Sequence, residues 1–156
     1  MQYFKYKPYI TPGPNGTSIY VKFKEVLEDN RPVSKWIGQE ISRIDGIYYI
    51  SIPDGETLAE NQSDKLVIES VTLTPELLKD LKANSSFCQM ISRLIIEKIR
   101  ARYSVDDEAY YNRIGMSSAL GIYIFKEGEK EELEEYNSFI EGIRQWGRDQ
   151  RASIGL

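Results

Sequence analysis

Carboxylates, one thiol and two groups of basic side chains could carry chemistry in this chain, and their spacing decides how far each can go. Asp54 closes a hydrophobic stretch, Ile47 to Ile52, inside Pro53-Asp54-Gly55, and Glu69 lies on the next apolar stretch. An acid ending one strand, with an acid-x-Lys triplet on the following one, can hold magnesium and activate a water. The triplet here is Glu69-Ser70-Val71 and lacks the lysine. Pro-Asp-Gly is also an ordinary turn, and the turn reading outweighs the metal site. Cys88 is the one cysteine, beside Phe87 and three residues before Ile91 on a helical pattern, where a thiol serves as a small apolar group. One cysteine excludes an internal disulfide and a cysteine zinc cluster. The chain has no histidine, which excludes Ser–His and Cys–His nucleophiles, imidazole metal sites and a histidine pH switch.

Two acidic clusters remain, Asp106-Asp107-Glu108 and Glu127 to Glu135 around Lys130. Neither has the spaced acid and glycine pattern of a calcium loop. Both fall where a helix is expected to start, and acids there complement the helix dipole. Arg100, Arg102, Arg113, Arg144, Arg148 and Arg151 could touch phosphate, but arginines late in a helix also complement its negative end. Lys5, Lys7, Lys22 and Lys24 interleave with aromatics, as single-stranded nucleic acid would require and as a protected edge strand equally would. Twenty Lys and Arg against twenty-four Asp and Glu leave a net charge of -4, which argues against a nucleic-acid partner. Neither phosphate-cradling glycine motif occurs. The expectation is a protein that is not an enzyme, with no catalytic residue, metal or cofactor.

These residues need elements to place them. At 156 residues and 41% hydrophobic, the chain can build one domain with a real core. A strand is predicted over 3–10, then a turn at Thr11-Pro12-Gly13-Pro14-Asn15-Gly16, then the alternating run Ile19 to Lys24; together they form a β-hairpin. Residues 33–44 fit a strand or a short helix. Further strands are predicted at Ile47 to Ile52 and Lys65 to Leu73. Thr74-Pro75-Glu76 starts a helix, Ser85 or Ser86 restarts one, and Phe87, Met90, Ile91, Leu94, Ile95 and Ile99 mark the central core helix. Ser104-Val105-Asp106-Asp107 opens a helix ending near Gly115, residues 116–125 fit a strand or a buried plug, and a last helix runs from Glu129 to about Arg148. The fold class is α+β in a single domain, 1–156. Residues 1–74 are mainly β, an antiparallel sheet of a hairpin plus further strands; residues 75–156 are mainly α, three to four helices.

The last helix carries Leu133, Tyr136, Phe139, Ile140, Ile143 and Trp146 on one face, and Tyr136, Phe139, Ile143 and Trp146 are the candidate interface residues. Eleven tyrosines are about twice an ordinary share, which suits half-buried surfaces or interfaces, or simply strands. The succession Ile99-Arg100-Ala101-Arg102, Tyr103-Ser104-Val105-Asp106-Asp107-Glu108, Glu135-Tyr136-Asn137-Ser138-Phe139-Ile140-Glu141 and Arg144-Gln145-Trp146-Gly147-Arg148 covers about a third of the chain. Its layout resembles the C-terminal segments of small proteins encoded in the tail regions of bacteriophages. There a Tyr-Ser-x-x-acid-Glu helix start precedes a helix with spaced aromatics and a late Arg-x-x-Gly. The resemblance implies a non-catalytic structural or interaction protein, a virion or tail-assembly component. Its partners would be other virion or assembly proteins and further copies of itself, in the virion or the host cytoplasm. The alternative is a small acidic protein that binds and inhibits a host enzyme. The start, Met1 to Lys7, lacks the apolar run of a signal peptide, and no stretch is long enough for a membrane span.

Overall fold

The computed structural model describes residues 1–29 and 31–156. Among these the chain runs through β1 (Gln2–Tyr6), β2 (Tyr9–Ile10), β3 (Ser18–Ile19), β4 (Lys24–Glu28), β5 (Arg31–Ile37), β6 (Gln39–Ile44), β7 (Ile47–Ile52) and β8 (Ile68–Ser70). Four helices follow, α1 (Pro75–Asn84), α2 (Ser86–Arg100), α3 (Val105–Ala119) and α4 (Glu129–Ser153). This is the expected α+β order, an antiparallel β region followed by helices.

Two compact units form, one from Met1–Gln89 with Arg151–Leu156 and one from Met90–Gln150. The units therefore cut across the change from β to α at residue 74: α1, the first turn of α2 and the last residues of the chain belong with the strands.

In the first unit the strand expected over 3–10 divides at Lys7-Pro8, because proline has no N–H to donate to a ladder. Its second part, β2, pairs with β3 as the expected hairpin, closed by Thr11, whose Oγ1 accepts from the Thr17 amide at 2.7 Å. Residues 33–44 are strand on both sides of Gly38, not helix. Asp45-Gly46, both at positive φ, makes the tight β6–β7 turn. The main sheet has the order β6-β7-β1-β8. One face carries Phe4, Tyr6, Tyr48 and Ile50, packed with Val21, Phe23, Leu58 and Leu66. The other carries Tyr3 and Tyr49, packed with Ile41, Leu77, Leu81, Cys88, Ile154 and Leu156. The final residues are held there by Ser51 Oγ donating to the Ile154 carbonyl at 2.8 Å and Tyr3 Oη donating to that of Gly155 at 2.9 Å.

Thr74 caps α1, its Oγ1 accepting from Leu77 N at 3.2 Å, with Pro75 at the first helical position where no donor is missed. Ser85 Oγ likewise accepts from Cys88 N at 3.3 Å as α2 restarts. Along α2, Cys88 and Ile91 are buried, while Leu94, Ile95 and Ile99 are half-buried and Met90 is exposed, so the burial peaks earlier than the centre of the stripe.

The second unit buries Ile91, Ile114, Tyr136 and Ile140. Ser104 and Asp107 form a full capping box at the start of α3. α3 passes Gly115, the expected end, and continues to Ala119. Gly115 lies inside α3 beside Leu133 of α4, whose Cδ2 would be 3.4 Å from an added Cβ.

Candidate functional site

Asp54 and Glu69 do not converge. β1 lies between β7 and β8, with Lys5 opposite Glu69 on one side and Tyr49 on the other. Ile52, the end of β7, is already three residues, about 10 Å, along the strand from Tyr49, and Asp54 lies beyond it. Each acid has its own cation: Asp54 the Met1 amino group at 2.6 Å, Glu69 Lys5 Nζ at 3.0 Å. Among the described residues no three metal-ligating side chains gather, and no helix is long and apolar enough to cross a membrane. Cys88 is buried in the core of the first unit. Asp107 caps α3 and is held below the usual carboxylate range by the Ser104 amide and hydroxyl. Arg100 pairs with Glu108 at 2.6 Å, Arg102 with Glu135, and Arg148 with Glu141. Lys24 sits 3.6 Å from Glu56.

The four interface candidates on α4 share one face but not one environment. Tyr136 is buried, stacked on Tyr111 at 4.7 Å and edge-on to Tyr103 at 5.1 Å. Phe139, Ile143 and Trp146 are half-buried. Phe139 lies against Tyr103 and under the Arg102 guanidinium, and the Lys98 ammonium sits 4.8 Å from the Trp146 ring centre. Tyr136 is thus spent inside its own unit, while the other three keep part of their surface open.

Residues 116–125 are neither strand nor plug. Gly121, at φ +73°, ends α3 in a Schellman turn: Ile122 N donates to Ser117 O at 3.0 Å and Gly121 N to Ser118 O at 2.9 Å. Such a turn folds the residue after the glycine back beside the last helical turn, here Ile122 beside the turn of Met116. The chain then extends and its side chains alternate. Tyr123 and Phe125 are half-buried, edge to face at 6.2 Å, whereas Ile122 is 76% and Ile124 90% exposed. Met116 (68%) and Leu120 (71%) complete an apolar set on the surface.

Glu129 fixes this arrangement. Although acidic, it is buried, and three donors converge on its carboxylate. They are Tyr110 Oη at 2.7 Å, Tyr123 Oη at 2.8 Å to one oxygen and 3.0 Å to the other, and Lys126 N at 2.7 Å. The Lys126 amide and then the Tyr110 hydroxyl hold the carboxyl below its ordinary range, because they bind only the charged form well. The same bond pushes Tyr110 up to about 12, and Tyr123 is raised for the same reason. With Tyr123 tied to Glu129, its two neighbours must point the other way. In the sequence Glu129 reads only as a helix-start acid. The signal for the rest was the alternation Ile122-Tyr123-Ile124-Phe125 directly after a glycine.

Comparison with protein-family models, with curated proteins and with solved structures gives no match, and none of the three bears on the layout of the C-terminal third.

Proposed function

We propose that the chain is a non-catalytic interaction protein, a component of a bacteriophage virion or tail assembly, and that the loop Leu120–Ile124 with Met116 is its docking element. The observation that carries this is the Glu129 clamp. It buries a carboxylate and satisfies it with two tyrosines and an amide, and the result is to hold isoleucines in water at 76% and 90% exposure. Single exposed apolar residues are commonplace, but four together on a braced turn mark a surface that a partner covers. A pre-shaped loop also loses less entropy on binding than a free one. The assignment to a phage assembly rests on the resemblance of the C-terminal third, and the half-buried Phe139, Ile143 and Trp146 extend the candidate surface.

The test is capture from phage-infected lysate by immobilised chain, wild type against Ile122→Asp/Ile124→Asp. Recovery of virion or tail proteins by the wild type alone supports the proposal. Recovery of one host enzyme, through the exposed acids of α4, would favour the inhibitor instead. Equal recovery by both proteins would remove the loop as the docking element.

A further inference from the structure

The first unit carries a surface complementary to that loop. A groove of about 390 Å³ opens on the main sheet where β8 forms its edge, with Ile47 and Val67 as apolar lining and Lys5, Lys7 and Lys65 around it. Val67 is 71% exposed. Glu69 pairs with Lys5 at 3.0 Å and Asp64 lies 3.7 Å from Lys65, so the three lysines outnumber the two acids beside them by one, in a chain of net charge -4.

The second unit offers the reverse chemistry in one continuous stretch. After the exposed isoleucines of 120–124 and Lys126 come Glu127 and the first turns of α4, where the exposed Glu127, Glu131 and Glu132 outnumber the exposed Lys126 and Lys130, the latter paired with Glu134. Ile124 and Val67 are each open to solvent. Resting on the docking role proposed above, we infer that the loop of one copy seats in the lysine-rimmed groove of a second. The isoleucines would lie on Ile47 and Val67, and the acids of α4 would face Lys7 and Lys65. Each copy presents one loop and one groove, so the contact is head-to-tail and builds a ring or an open filament.

Sedimentation of the full chain across concentration and salt tests this. Wild type should associate, and more weakly at high salt, which screens exposed charges. Lys7→Glu/Lys65→Glu and Glu127→Lys/Glu131→Lys should each weaken association by about tenfold or more, and an equimolar mixture of the two should recover it, because each reversed groove then meets a reversed loop. Wild-type association by the lysine variant, or no recovery in the mixture, overturns the inference. So does a wild type that stays monomeric throughout, or one whose groove binds a single-stranded oligonucleotide without self-association. If Ile124→Asp abolishes association while Lys7→Glu/Lys65→Glu does not, the loop keeps its docking role and the groove alone is wrong.

Discussion

The two units weight the tyrosine ring and hydroxyl differently, although in the strand unit too one hydroxyl, that of Tyr3, holds the chain end. In the strand unit Tyr6, Tyr20 and Tyr48 are ring bodies: Tyr6 is buried against Tyr48 at 5.3 Å, and Tyr48 lies between Tyr20 and the Arg43 guanidinium, 4.4 Å away. Burial pushes Tyr6 up to about 12. In the helical unit Tyr110 rises equally far, yet the leading cause is its bond to Glu129 and not burial. Strand propensity explains the tyrosines of the sheet. It does not explain five in a unit without strands, at 103, 110, 111, 123 and 136. There the rings pack α3 on α4 and two hydroxyls brace a loop. One unit is held chiefly by apolar burial, the other also by a polar clamp.

The sharpest way to break this contrast is to cut the apolar core of the strand unit. Leu81 is fully buried, and Leu81→Ala should cost about 2–5 kcal/mol by chemical denaturation. A loss under about 0.5 kcal/mol, as at an exposed site, would show that apolar burial is not what holds this unit. Next is Gly155→Ala. Gly155 has φ +85°, and an added Cβ would lie 3.1 Å from the Tyr3 ring. The cost should be about 1–3 kcal/mol, and an unchanged melting curve would mean that the last residues are not fixed on the sheet. In the helical unit Ser104→Ala should cost about 0.5–2 kcal/mol, with Ser104→Asp close to neutral. Equal losses from both would count against the cap.

pH separates the units more gently. Glu129 and Asp107 have lowered folded values, so their stabilisation is complete above the ordinary carboxylate range, about pH 4–5, and is lost as pH falls through the lower folded values. Tyr6 and Tyr110 have raised ones, so theirs is complete below pH 10.0 and lost as pH rises through about 12. Glu129→Gln should therefore flatten the acid limb of the melting profile and bring two tyrosines, Tyr110 and Tyr123, back towards 10.0 in an ultraviolet titration. Tyr6 should not move. A titration unchanged by the substitution would detach Tyr110 from Glu129.

What the sequence revealed follows from how local each signal was. Thr74-Pro75, the Ser104 box and the Thr11 to Gly16 turn are complete within a few residues, and all three form. Residues 33–44 were ambiguous because Gly38 breaks the strand pattern into two pieces that each also fit a helical turn. The role of Glu129 was hidden because its partner Tyr110 lies nineteen residues away on another helix. Residues 116–125 misled for a related reason: hydrophobicity normally signals burial, and here the same four residues, 122–125, divide between a braced inner pair and an exposed outer pair.

The central claim is that Ile124 is held outward for a partner and not for the fold. The most direct measurement is sedimentation and thermal melting of Ile124→Asp beside wild type, in the same buffer. At 90% exposure the substitution should leave stability within about 0.5 kcal/mol while association falls by about tenfold or more. A marked drop in melting temperature with association unchanged would contradict it, and would return the loop to the protein's own core.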